Sequence, residues 1–292
     1  MTAGNARPMT VRRMPFAYNR ETALHWNQAR PEFSQIVNAA SLAMPYLEPY
    51  LIKTMREARP LIRDANLVAE LDLYCAQEST HYLKHRKFNE ALMSLRPAVV
   101  KAIEDRLAAD YARLASKRSL RFNLAYAEGF ESMALAIGHM LIEQREFLFG
   151  DADTGVASLV LWHFVEEIEH KNVTFDVFKR FSGSYFWRML GLVYATIHIM
   201  GRTRSGYRQL LKADGLWHNW SSRMALARVL ARIFASLLPK FLRIASPSYH
   251  PRNVEDPSWM CAWAALHEVD PAAGARLDTA RLHEPCPVAL AA

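Results

Sequence analysis

Glutamate and histidine recur inside apolar, helix-periodic stretches of this 292-residue chain. Glu48 closes Met44-Pro45-Tyr46-Leu47-Glu48, and Glu78 and His81 form a Glu-x-x-His within Tyr74–His81. Glu128 sits in Leu124–Phe130, and His163, Glu167 and His170 lie in Trp162–His170. At about 100° per residue, positions i and i+3 or i+4 share a helix face, which confines His163, Glu167 and His170 to an arc of about 60°. Glutamate is rarely buried without a partner. Helices built this way either turn these groups out into solvated or salt-bridged faces, or bring them together on a common partner.

The rest of the chain supports helices. Apolar spacing of the helical type runs from Phe33 to Arg56, with a kink or break expected near Pro45 and Pro49. Further helices are predicted over Leu61–Leu95, Ala98–Leu114, Leu120–Phe149 and Val156–Phe181, and two or three more between Tyr185 and Ile244. Eleven glycines and fourteen prolines are too few for a collagen-like or turn-dense all-β chain. Six prolines after Ser246 predict an irregular tail. The expected fold class is all-α, a ferritin-like helical bundle with additional C-terminal helices. It divides into an N-terminal extension (1–32), a bundle (33–245) that includes a basic helical segment (185–244), and a Pro-rich tail (246–292).

The order of the polar groups carries chemistry: Glu48, Glu78-x-x-His81, Glu128, Glu167-x-x-His170, one group per predicted long helix. A Glu three residues before a His can offer carboxylate and imidazole to one metal ion, and a Glu from another helix can bridge to a second. This is the pattern of di-iron carboxylate bundles. The neighbours have two readings each. Glu166 is either an acid supporting the ligands or an alternate ligand, or else half of a surface ion pair. Asp176 either orients a ligand histidine or lies on a helix surface. His139 reads as a packed core or pocket histidine, Tyr74 as a core tyrosine or one lining the site, and His85 as a solvated helix residue.

The segments Glu48-Pro49-Tyr50, Gln77-Glu78-Ser79-Thr80-His81 and Trp162–Lys171, with Phe175-Asp176 after them, resemble the bacterial family of predicted metal-dependent hydrolases, from about Phe33 to His250-Pro251. The set is also similar to the four-Glu, three-His di-iron site of p-aminobenzoate N-oxygenase type enzymes, a resemblance that implies His163 as an additional ligand. One departure concerns the third helix. The family's motif has a His directly after its Glu, this chain has Gly129, and Glu131 competes with Glu128 for the assignment. Glu128 is preferred because Phe130 then matches the family's aromatic position.

These features set the functional expectation: a di-iron enzyme using O2 to oxidise or oxygenate a small organic substrate. Its cofactors would be two iron ions, with Mn or Zn as substitutes, and it would need an external electron donor. A two-metal hydrolase is the alternative, and a non-enzymatic metal-binding or storage bundle is a third reading. Three cysteines without a C-x-x-C pair and no visible secretory signal point to the cytoplasm. The net charge of +7 is local: residues 185–244 hold ten Lys/Arg against Asp214 alone, and the remainder is slightly acidic. That segment reads as a solvated face, as a peripheral contact with anionic lipid at the inner membrane surface, or as a surface for an acidic partner or anionic substrate. No recognised nucleic-acid-binding module accompanies the charge.

Overall fold

A computed structural model describes residues 9–16, 18 and 24–290. It is helical throughout: α1 (Pro31–Ser41), α2 (Met44–Ala58), α3 (Ala65–Leu95), α4 (Pro97–Lys117), α5 (Leu120–Glu143), α6 (Arg145–Phe149), α7 (Thr154–Glu169), α8 (Val173–Phe181), α9 (Tyr185–Ala213), α10 (Trp220–Ile244) and α11 (Ser258–Val269). Among the described residues extended pairing amounts to a single bridge, Leu277 to Ala289. The expected all-α bundle is what forms. Part of the expected N-terminal extension (residues 1–8, 17 and 19–23) lies outside the described residues.

Local chemistry explains most helix starts. The side chains of Asp64, Ser119, Asp153, Ser184 and Asn219 accept hydrogen bonds from the first free backbone amides of α3, α5, α7, α9 and α10. The break near the prolines falls at Leu42–Ala43, where Pro45 takes a first-turn position in α2 that needs no amide donor. Pro49 stays inside α2.

Helix α5 is the axis of the molecule. Every residue from Phe122 to Ala136 is buried, as expected of a helix apolar nearly all round. It packs against α2, α7, α8, α9 and α10. The closest approach, to α9, depends on two glycines. A Cβ on Gly191 would stand 1.9 Å from the Ala125 carbonyl oxygen, and one on Gly129 2.4 Å from the Leu192 nitrogen. No side chain fits either place.

Three expectations need correction. The helix predicted over Leu120–Phe149 breaks at Gln144 into α5 and α6. The helix predicted over Val156–Phe181 is two helices, because α7 ends at His170 and α8 restarts at Val173. Lys171 in the bend is anchored to the Val254 carbonyl (2.6 Å) and Asp256. The tail beyond Ser246 is not irregular throughout. Prolines at 257 and 271 bracket α11 rather than interrupt it, and its Trp259, Met260 and Trp263 are buried. The segment after it docks on the start of α7 through Leu277 N–H to Ser158 Oγ (3.1 Å) and Thr279 Oγ1 to the Ala152 carbonyl (2.7 Å).

Candidate metal centre

Helices α2, α3, α5 and α7 turn charged side chains inward to one buried locus. Two groups of potential ligands form there: Glu48, His81 and His163, and Glu78, Glu131, Glu167 and His170. Within each group the donor atoms lie within 4.8 Å of one another. The two groups share an edge. Glu167 turns Oε1 to His163 Nε2 (3.2 Å) and His81 Nδ1 (3.6 Å), and Oε2 to His170 Nε2 (3.3 Å). Glu78 Oε1 lies between His81 Nδ1 (3.6 Å) and His170 Nε2 (3.4 Å). Glu48 faces His163 at 4.0 Å, and Glu131 faces His170 at 3.4 Å.

Two features of this locus fit metal ions. Eight buried atoms here have no hydrogen-bond partner among the described residues: both carboxylate oxygens of Glu48 and of Glu78, Oε2 of Glu131 and of Glu167, His81 Nδ1 and His170 Nε2. Unsatisfied buried polar atoms are rare, and buried charges are paired or coordinate metals. Second, ligand atoms about 2.1 Å from one ion stand roughly 3.0 to 3.4 Å apart at octahedral to tetrahedral angles, close to most of the separations above. Charge agrees: four carboxylates with three neutral imidazoles are balanced by two divalent cations.

Each histidine is held from behind. His81 Nε2 is 3.0 Å from Glu166 Oε2, and His170 Nδ1 is 3.2 Å from Gln77 Oε1. His163 Nδ1 meets His85 Nε2 at 2.9 Å, His85 Nδ1 meets Ser41 Oγ at 2.8 Å, and Ser41 donates to Asn89 Oδ1 at 2.7 Å. If His163 Nε2 faces the centre, Nδ1–H donates to His85, and His85 in turn donates to Ser41. Burial, with His163 and His81 nearby, keeps His85 well below the usual imidazole range, hence neutral, as this chain of donors requires. Metal-bound histidines are oriented in this way. Arg12, itself buried, closes the outer ring with hydrogen bonds to Glu166 (3.1 Å) and Glu169 (2.6 Å).

Without a cation the cluster shares protons unevenly. Burial and Glu78 push Glu48 well above the usual carboxylate range. Burial and Glu167 also raise Glu131. Burial would raise Glu167 too, but His170, His163 and His81 outweigh it and hold that carboxyl well below its usual range. Burial opposes charge on His81 and His170, yet the surrounding carboxylates raise both.

Six of the seven expected ligands meet here: Glu48, Glu78, His81, His163, Glu167 and His170. Glu128 does not. It accepts a hydrogen bond from Ser132 (3.0 Å) and faces Arg188 on α9 at 3.9 Å, while Glu131, one turn on, enters the cluster and is held by Tyr74 Oη (2.7 Å). Tyr74 is therefore more than a core residue, and its ring meets His170 edge-on. His85 is buried beside His163 rather than solvated. Asp176 touches no ligand histidine; it pairs with His250 (3.2 Å) and Arg252 (2.9 Å). Glu166 lies against His81, as an acid supporting a ligand would. His139 lines a cavity of about 330 Å³ with Tyr249 and Lys240, and burial lowers it to about 4. Arg12, Gln77 and Glu169 escaped the sequence reading because their partners lie far away along the chain.

Neither a curated protein nor a solved structure matches the chain, so the ferritin-like likeness gains no support from a known fold. The model of one protein family does match, over residues 10–255, and its description is predicted metal-dependent hydrolase. That match overturns the expected O2-using di-iron oxidase or oxygenase, and the need for an electron donor falls with it. It agrees instead with the hydrolytic alternative. A match over most of the chain, together with buried carboxylate and imidazole clusters of metal-binding character, places this chain in the predicted metal-dependent hydrolase family.

Proposed function

We propose that the chain is a hydrolase that holds two divalent cations between α2, α3, α5 and α7. Glu48, His81 and His163 would bind one, and Glu78, Glu131 and His170 the other, with Glu167 presenting one oxygen to each. The observation that carries this reading is the set of eight buried, partnerless donor atoms aimed at one locus. Mixed carboxylate and imidazole donors suit Zn²⁺, Mn²⁺ or Fe²⁺. Bound cations of this kind supply Lewis acidity to a carbonyl or phosphoryl oxygen and make water a nucleophile near neutral pH.

The protein's own part is geometry. Tyr74 fixes the Glu131 carboxylate, Gln77 and Glu166 fix two imidazole rings, and the His85–Ser41–Asn89 chain fixes the third. Glu166 and Glu169 are in turn compensated by Arg12, which leaves the inner carboxylates free for cations. A groove of about 540 Å³ is lined by Pro49 and Ser79, next in sequence to Glu48 and Glu78, and by Ile52 and Tyr82, one turn further on. Lys53, Arg56 and Glu57 line it too, Lys53 pairing with Glu57 (3.9 Å). This groove is our candidate approach for a small substrate.

The test is to strip the protein with a chelator and reload it without oxygen with Zn²⁺, Mn²⁺ or Fe²⁺. Chromogenic carboxylic esters, anilides and phosphoesters are then screened. The expected result is two metals per chain and a metal-dependent cleavage that Glu167→Ala abolishes. A loaded protein that cleaves none of these bonds refutes the hydrolytic reading.

A further inference from the structure

Helices α9 and α10 both pack on α5 and are tied at one end by Tyr185 Oη to the Ala245 carbonyl (2.7 Å) and by Arg188 to the carbonyls of Ile244 and Ser246. Their outer faces, turned away from α5, are unusual. On α9 the exposed positions Phe186, Leu190, Val193 and Ile197 form an apolar stripe at helical spacing, continued at the same spacing by Arg204, Arg208 and Lys212. On α10 the exposed stripe is Met224, Phe234, Leu238 and Leu242, with Arg223, Arg228 and Arg243 beside it. Phe186 and Ile197 are each 69% exposed and Leu242 67%. Exposed apolar stripes of this kind on a folded protein mark an interaction surface.

Charge decides what it meets. Asp214 is the sole acid from residue 185 to 244, and it is already engaged by His25, Gln35 and Arg96. Arg204, Arg208, Lys212, Arg223 and Arg228 face no carboxylate within salt-bridge distance among the described residues. A twofold contact between copies would press this basic face against itself, which like charges oppose. An apolar stripe flanked by Arg and Lys is instead complementary to a bilayer with anionic headgroups, the side chains entering the acyl boundary and the cations the phosphate layer. No helix among the described residues is long and apolar enough to cross a membrane, so the contact is lateral.

We propose that the joint outer face of α9 and α10 docks on an anionic lipid bilayer. The test is flotation of the full chain with vesicles of phosphatidylcholine containing 30% phosphatidylglycerol, against vesicles of phosphatidylcholine alone. The expected result is binding to the anionic vesicles only, weakened at least tenfold at high salt. The triple variant Arg204→Gln, Arg208→Gln, Lys212→Gln should weaken it by about 100-fold, and Leu238→Asp with Leu242→Asp should abolish it. Each variant is read only where its circular dichroism and metal content equal the parent's. No binding to anionic vesicles, equal binding to both vesicle types, or a stable dimer in sedimentation that Leu238→Asp dissociates would overturn the proposal.

Discussion

Glu128 and Glu131 are one helical turn apart, and replacing each with glutamine should have opposite consequences. Glu128 is fully buried, its Oε2 has no hydrogen-bond partner, and burial raises it to about 7 despite Arg188 and Ser132. In the unfolded chain it returns to the ordinary glutamate value of 4.5. A carboxyl whose folded pKa lies above its unfolded one favours the native state at low pH. That contribution is lost as pH rises from 4.5 to about 7. Linkage across this window gives a native-state cost of about 1 kcal/mol at pH 5, growing to about 3 kcal/mol at pH 8. Glu128→Gln removes the titration, so its stability advantage over the wild type should grow by about 2 kcal/mol between those pH values. Urea unfolding of both proteins at pH 5, 6, 7 and 8 measures it, and metal analysis should still find the wild-type content. A pH-independent difference, or loss of a metal from Glu128→Gln, refutes the reasoning and returns Glu128 to the ligand set.

Other perturbations follow from the same contacts. Glu131→Gln should lose one metal with little loss at the position facing His163, read by elemental analysis. His85→Ala breaks the chain behind His163 and should weaken metal affinity by about 10- to 100-fold in a competition titration with a chelator. Arg12→Met leaves Glu166 and Glu169 uncompensated in the interior and should destabilise the fold by about 3 to 5 kcal/mol in urea. Gly191→Ala drives a methyl group into the Ala125 carbonyl and should cost about 3 kcal/mol or more, with a matching fall in the urea midpoint.

Much of the fold was legible because it depends on local rules: apolar spacing located the helices, whose starts are capped by adjacent Asp, Ser and Asn side chains. The split after His170 was not, since His170-Lys171-Asn172-Val173 contains no Gly or Pro and the anchor of Lys171 lies over 80 residues away. The candidate site was legible wherever two members of the cluster share a helix, as in Glu78-x-x-His81 and His163-x-x-x-Glu167-x-x-His170. It failed on α5, where burial on all sides leaves no polar face to distinguish Glu128 from Glu131. What decides there is tertiary: Tyr74 on α3 holds one, and Arg188 on α9 faces the other. His85 was misread because its partners, Ser41 and His163, come from α1 and α7.

Native mass spectrometry of the reloaded protein tests the central claim most directly, because it counts ions per chain without assuming a substrate. Two divalent ions should be found in the wild type, one in Glu131→Gln, and none in Glu167→Ala, since Glu167 faces all three histidines. A wild type that takes up no divalent ion, or a Glu167→Ala variant that retains two, contradicts the two-metal centre.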